Sequence, residues 1–207
     1  MKYSRYMPLD PPRATQAIPP SMLDSKQQEG WYGQVKKNGA YSVIYVSPDK
    51  KLHTLNRHQK PHKAWQFTED SAKVFRNLPK LGWCVFCAEL LHSKVPGLRD
   101  INYIHDVLVY DGNMLHDRDY SQRYKILIDT FLHSGAQMAE TSSHWIIDEH
   151  TWLARNLRQK FSTVYENLGD PRLDEGLVLK NPKVPLGLKV NDGWSVKIRR
   201  ATKNFGF

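Results

Sequence analysis

Short runs of β-branched and aromatic residues dominate the hydrophobic pattern of this chain, and long apolar stripes are few. Tyr41-Ser42-Val43-Ile44-Tyr45-Val46, Lys51–Arg57, Trp83–Leu91 and Asn102–Tyr110 each read as strands. Trp31 to Val46 contains Asn38-Gly39, a strong short hairpin signal, and so predicts a hairpin with Lys36 at the end of its first arm. Ser47-Pro48-Asp49-Lys50 and Asp111-Gly112 mark further turns, Trp145–Ile147 a short strand, and Gly176–Lys180 and Trp194–Arg199 the last two strands. Helical spacing appears in Thr68–Leu78, ended by Pro79, and in Tyr120–Leu132, ended by Gly135. Thr151–Leu168 predicts the longest helix, with Trp152, Leu153, Leu157, Phe161, Val164 and Tyr165 on one side. Residues 1–30 are rich in proline, serine and glutamine and read as an extended lead-in, leaving 31–207 as the domain. Strands and helices mix without βαβ alternation, so the expected class is α+β, with mainly antiparallel sheets flanked by helices.

Charge narrows the choice of partner. Thirty basic against twenty-one acidic residues in 207 give a net charge of +9, which favours a polyanion such as nucleic acid or a nucleotide. The chain has no apolar run of transmembrane length and no signal-peptide core, so the expectation is an intracellular protein, cytoplasmic or nuclear, with no membrane segment. Cys84 and Cys87 form a lone C-x-x-C. Residues three apart on a strand point to opposite faces, and no second pair completes a zinc site, so both are expected to be structural.

Five segments carry the candidate chemistry: Lys36-Lys37-Asn38-Gly39, Ala88-Glu89-Leu90-Leu91, Tyr103–Leu108, Glu175–Lys180 and Trp194–Arg199. In this order and spacing they resemble the covalent nucleotidyltransferases, the superfamily of ATP-dependent DNA ligases, RNA ligases and mRNA capping enzymes. The resemblance covers roughly residues 19–200. It implies an ATP-grasp-like ligase adenylation domain, without an OB domain in this chain. Lysine serves such chemistry because its neutral amine attacks the α-phosphate of ATP, expels pyrophosphate and holds AMP as a phosphoramidate. The resemblance makes Lys36 that nucleophile, with Glu89 at the ribose and Glu175 at the metal and nucleotide. Lys197 and Arg199, two apart on a strand, share a face and suit the charge of the transition state.

By the same resemblance, Gln34, Val35, Asn38, Gly39, Arg57, His105, Val178 and Lys180 surround the nucleotide. His105 stands where relatives stack an aromatic ring on adenine, Val178 closes the other face, and Asp106 joins Glu175 at the metal. The implied ligands are ATP and Mg²⁺ (or Mn²⁺). The implied partner is nicked duplex nucleic acid, DNA rather than RNA, bound by a monomer with a possible separate OB or clamp partner. Two features bear on the acceptor. Tyr41 replaces the arginine that DNA ligases carry five residues after the nucleophile, whereas Glu175–Lys180 and Asp106–Arg123 look more like DNA ligases. The alternatives are an RNA ligase or capping-type enzyme, and a non-catalytic nucleic-acid-binding relative.

Overall fold

A computed structural model describes residues 1–10, 13–92, 97–132, 139–186 and 193–200. Its strands are β1 (Tyr32–Lys37), β2 (Ala40–Val46), β3 (Leu52–Asn56), β4 (Cys84–Leu91), β5 (Ile101–Tyr110), β6 (Asn113–Met114), β7 (Ala139–Glu140), β8 (His144–Ile146), β9 (Thr151–Ala154), β10 (Asp174–Lys180) and β11 (Ser195–Arg199). Its helices are α1 (Leu23–Gln28), α2 (Glu69–Arg76), α3 (Tyr120–Leu132) and α4 (Phe161–Glu166), with a 3₁₀ turn at Pro20–Met22. The strands make two sheets. One is three-stranded in the order β1-β10-β11; the other is eight-stranded in the order β3-β2-β4-β5-β9-β8-β7, with β6 paired to β5. All pairings between these strands are antiparallel except β5 with β9, so the class is α+β as expected. Among the described residues no helix is long and apolar enough to cross a membrane.

Each sheet buries one face under helices. Ile44, Phe86, Ala88, Ile104 and Val107 of the large sheet meet Phe75 of α2 and Leu127 and Phe131 of α3. Val35, Leu177, Leu179, Val196 and Ile198 of the small sheet meet Leu23 of α1 and Phe161 of α4. Thr68 caps α2 through a reciprocal capping box with Ser71, which accounts for the start predicted there. Cys84 and Cys87 are free and buried, and they join different clusters on opposite faces of β4.

Three element predictions need correction. The Asn38-Gly39 hairpin does not form: β1 pairs with β10, and β2 pairs with β3 and β4. A two-residue type I′ turn needs positive φ at both central residues, a condition met here by Asp111 (48°) and Gly112 (71°) but by neither Asn38 nor Gly39. Asn38 is instead drawn to the small sheet's end, where its N–H and side-chain amide donate to the carbonyls of Leu173 and Arg172. The helix predicted over Thr151–Leu168 is two elements. Thr151–Ala154 pairs with both β5 and β8, and only Phe161–Glu166 is helical, so α3 is the longest helix described. Pairing between β-favouring Thr151, Trp152 and Leu153 and their neighbours outweighs an apolar spacing that spans both elements. Residues 1–30 are not wholly extended, since they include α1 and bury Tyr3, Ile18 and Leu23. The Gly135 stop lies outside the described residues.

Candidate active site

The two sheets face each other across a cavity of about 420 Å³. A β-bulge in each sheet sets a side chain beside it, Glu175 against Lys36 and His105 in the cavity wall. In the small sheet the register moves from Lys36↔Gly176 to Lys37↔Asp174, which makes Glu175 the extra residue. In the large sheet it moves from Cys87↔Asp106 to Ala88↔Ile104, which makes His105 the extra residue. Bulges re-aim side chains in this way by inserting one residue opposite none. Gly176, at φ +149°, permits the first bulge. A Cβ there would lie 1.9 Å from the carbonyl oxygen of Ile198, so no larger residue allows β11 so close.

On the small sheet the strand register arranges the site in rows. Lys36, Gly176 and Arg199 form one row; Gln34, Val178 and Lys197 form the next; Tyr32, Lys180 and Ser195 form the third. Lys36 Nζ donates to Glu175, whose carboxylate also lies 3.9 Å from Arg199 Nε. Burial, helped by Arg199 and Lys36, lowers the pKa of Lys197. Lys37, next in sequence, is buried and ion-paired to Asp174 at 2.7 Å.

On the large sheet Tyr41, Glu89 and Tyr103 lie side by side across β2, β4 and β5. Glu89 Oε1 accepts from the Gly39 N–H at 3.1 Å, and Tyr103 Oη donates to the Val35 carbonyl at 2.9 Å, tying the two sheets together. A Cβ on Gly39 would meet both Glu89 Cγ and the Leu90 carbonyl oxygen at 2.6 Å, so glycine is needed for this close crossing. The half-buried His105 ring packs edge-on to Tyr41, with centroids 5.7 Å apart. Loss of water around the ring, with Lys180 nearby, lowers its pKa to about 3, so the imidazole is neutral near pH 7.

A charged network, of which Asp106 and Lys180 line the cavity, backs this part of the site. Asp106 accepts from Arg123 Nε and Nη2 at 3.0 and 3.1 Å, and Lys180 Nζ sits 4.0 Å from it while donating to the His105 carbonyl at 2.8 Å. Burial opposes the charge on Asp106, but Arg123 and Lys180 outweigh it and hold its carboxyl below the usual range. Burial lowers Lys180 to about 8.

Among the residues expected from sequence, Gln34, Val35, Lys36, Arg57, Glu89 and His105 line the cavity, as do Asp106, Val178, Lys180, Lys197 and Arg199. Asn38, Gly39 and Glu175 do not. Asn38 anchors the crossing between sheets, Gly39 positions Glu89, and Glu175 stands at the cavity rim against Lys36. Arg57 follows β3 in the turn, with its Nε donating to His58. Both oxygens of Asp106 accept from Arg123, and no group of three His, Cys, Asp or Glu suited to a metal occurs among the described residues. Sequence reasoning missed Tyr103, Trp194 and the segment Arg13-Ala14-Thr15, all of which line the cavity. Alternation along β5 would have flagged Tyr103; nothing in the sequence around Arg13 marks it.

No protein-family model and no curated protein matches the sequence. Among solved structures, the ligase domain of M. tuberculosis LigD is similar at a TM-score of 0.61 and 16% identity, covering 92% of this chain and 60% of that one. Mycobacterial DNA ligase D complexed with ATP and MES is similar at 0.58 and 16%, with the same coverage. A Lig E DNA ligase is similar at 0.55 and 11%, covering 93% of this chain and 69% of that one. The chain therefore has the fold of ligase nucleotidyltransferase domains and spans about three-fifths of the first two.

Proposed function

We propose that this chain, which has the fold of a ligase nucleotidyltransferase domain, is the adenylyl-transfer unit of an ATP-dependent polynucleotide ligase. In this reading it seals 5′-phosphate/3′-hydroxyl nicks in DNA through AMP held on Lys36. The observation that carries the proposal is the grouping of Lys36, Glu175, Lys197 and Arg199 at one end of a nucleotide-sized cavity, opposite Glu89.

The chemistry follows from those positions. Lys36 Nζ gives up a proton, attacks the α-phosphorus and forms a P–N bond as the P–O bond to pyrophosphate breaks. Glu175, already accepting from Nζ, orients the amine. Lys197 and Arg199 offset charge on the α-phosphate oxygens as the transition state develops. The neutral His105 ring and Val178 hold the base between the sheets, and Glu89, fixed by the Gly39 N–H, receives a ribose hydroxyl. The nucleic acid's 5′-phosphate then attacks the same phosphorus and frees Lys36, and a 3′-hydroxyl displaces AMP.

A divalent cation, when bound, neutralises phosphate charge. Mg²⁺ is commonly held by one or two carboxylates plus substrate phosphates, and Glu175 suits that donor set. Asp106, committed to Arg123, is assigned to positioning β5 instead. The DNA preference rests on the resemblance of Glu175–Lys180 and Asp106–Arg123 to DNA ligases. The test is incubation with α-labelled and γ-labelled ATP followed by a denaturing gel, then sealing of matched all-DNA, all-RNA and mixed nicks. An adduct retaining only the α-label, lost in Lys36→Ala, and preferential sealing of DNA are expected. Absence of the adduct, or sealing of RNA alone, contradicts the reading.

A further inference from the structure

The free edge of β11 is not bare. Ile18 N–H donates to the Lys197 carbonyl, Lys197 N–H donates to the Gln16 carbonyl, both at 3.0 Å, and Ala17 makes a parallel bridge to Lys197. Residues 16–18 thus extend the small sheet by one more short strand. The chain before them is tied to the other sheet, where Tyr3 N–H donates to the Gly112 carbonyl at 2.8 Å and Leu9 N–H to Tyr45 Oη at 2.9 Å. The N-terminal segment therefore bridges the two sheets as a strap, and Arg13, Ala14 and Thr15 form part of the cavity wall.

The direction of the strap locates its contacts. Parallel pairing at Ala17↔Lys197 places earlier residues progressively toward Trp194 and away from Arg199. Arg13 and Thr15 therefore lie at the end of the cavity remote from Lys36 and Arg199, beyond the Val178–Lys197 row. With phosphate at the Lys36 end and the base against Val178 and His105, that remote end meets the edge of the base. Arg13 Nε is enclosed and has no hydrogen-bond partner among the described residues, so it is a donor held without an acceptor. An enclosed, unmatched donor is costly, and a ligand that supplies an acceptor removes the cost. A threonine hydroxyl both donates and accepts, so the strap offers a pattern that an adenine edge, with ring-nitrogen acceptors and an amino donor, can match.

We infer that Arg13 is a ligand-contacting specificity residue that donates to an acceptor on the edge of the nucleobase, so that the N-terminal strap helps choose the nucleotide. The inference rests on the nucleotide reading of the cavity but not on covalent transfer. Equilibrium binding therefore tests it, using the α,β-methylene analogues of ATP and GTP, which bind without releasing pyrophosphate. The full chain, Arg13→Ala, Arg13→Lys and the exposed Lys73→Ala are compared by calorimetry.

Arg13→Ala is expected to weaken the ATP analogue at least fivefold while changing the GTP analogue by a different factor, so that the ratio of the two affinities moves. Arg13→Lys should recover part of the loss, and Lys73→Ala should match the parent. Equal weakening of both analogues would place Arg13 on the phosphates and overturn the inference, as would unchanged binding or binding of neither analogue. If the parent binds the ATP analogue but forms no adduct with ATP itself, covalent transfer fails while the affinity ratio still decides the base-edge contact.

Discussion

At the scale of single residues, adjacent lysines have opposite fates. Lys36 reaches the cavity and Glu175, whereas Lys37 is buried against Asp174, with side-chain exposures of 2% and 12%. Breaking a buried pair leaves an unpaired charge and costs about 3–5 kcal/mol, or ~10 °C in Tm for a chain of this size. Lys36→Ala is therefore expected to abolish the adduct with little change in Tm, and Lys37→Ala to lower Tm by about that amount; calorimetry with the gel assay checks both. A loss of adduct with Lys37→Ala at a temperature where it is fully folded would move the nucleophile by one residue. His105 makes a second case. As a neutral stacking surface it is worth about 1 kcal/mol, so His105→Ala should weaken ATP roughly fivefold and His105→Phe should restore it. Lys36, Glu89 and Glu175 were singled out by the order of the motifs that carry the resemblance, and Lys197 and Arg199 by strand period as well; of these, all but Glu175 line the cavity. Arg13 was not legible, because a lone arginine among prolines carries no periodic signal and acquires its place only through pairing with a strand far along the chain.

At the scale of elements, the strands were read more faithfully than their pairing. Alternation gives a strand its existence and faces, but the partner is decided elsewhere in the chain. Asn38-Gly39 looks like a hairpin locally, yet Val35 of β1 reaches the helix-backed cluster around Leu177 and Phe161 only because β1 joins β10. The two bulges were illegible for the same reason, since one unpaired residue leaves the composition of a strand unchanged. They nevertheless decide where Glu175 and His105 point. Gly176→Ala tests this dependence. Its methyl group collides with the Ile198 carbonyl, so the β10–β11 ladder must open at an expected cost of about 2–3 kcal/mol. Glu175 then loses its aim, and adduct formation should fall more than ATP binding does. Labelling rate and equilibrium binding measured on the folded variant separate the two effects, and equal losses in both would remove the bulge from the chemistry.

At the scale of the whole molecule, charge and two histidines shielded from water set the response to solution conditions. On the proposed nucleic-acid reading, a net charge of +9 favours contacts to phosphates. With about four of them, a rise from 50 to 200 mM salt should weaken binding to nicked duplex ~100-fold, and fluorescence anisotropy across that range is the check. Acid acts on the fold itself. Loss of surrounding water lowers His105 to about 3 and His144 to about 4 from an ordinary 6.5. The unfolded chain therefore binds more protons than the folded one below pH 6.5, and stability should hold above that value and decline as pH falls toward 4. His105→Phe removes one of the two sites, so its denaturant midpoint should fall less between pH 7 and 5 than that of the parent.

The pairing of β1 with β10 also fixes when the candidate site can assemble. Lys36 meets Glu175, which lies 139 positions further along the chain, and the same ladder needs β11 beyond it. A ribosome adding about 5–20 residues per second needs roughly 7–30 s to travel that distance. The strands of the large sheet are all made before then, while among the described residues Tyr32–Lys37 waits for β10 with only the Gly33–Leu157 bridge to hold it. A nascent or truncated chain lacking residues 174–199 thus displays Lys36 without Glu175, Lys197, Arg199 or the small-sheet side of the cavity, so the candidate site assembles only once β10 and β11 exist.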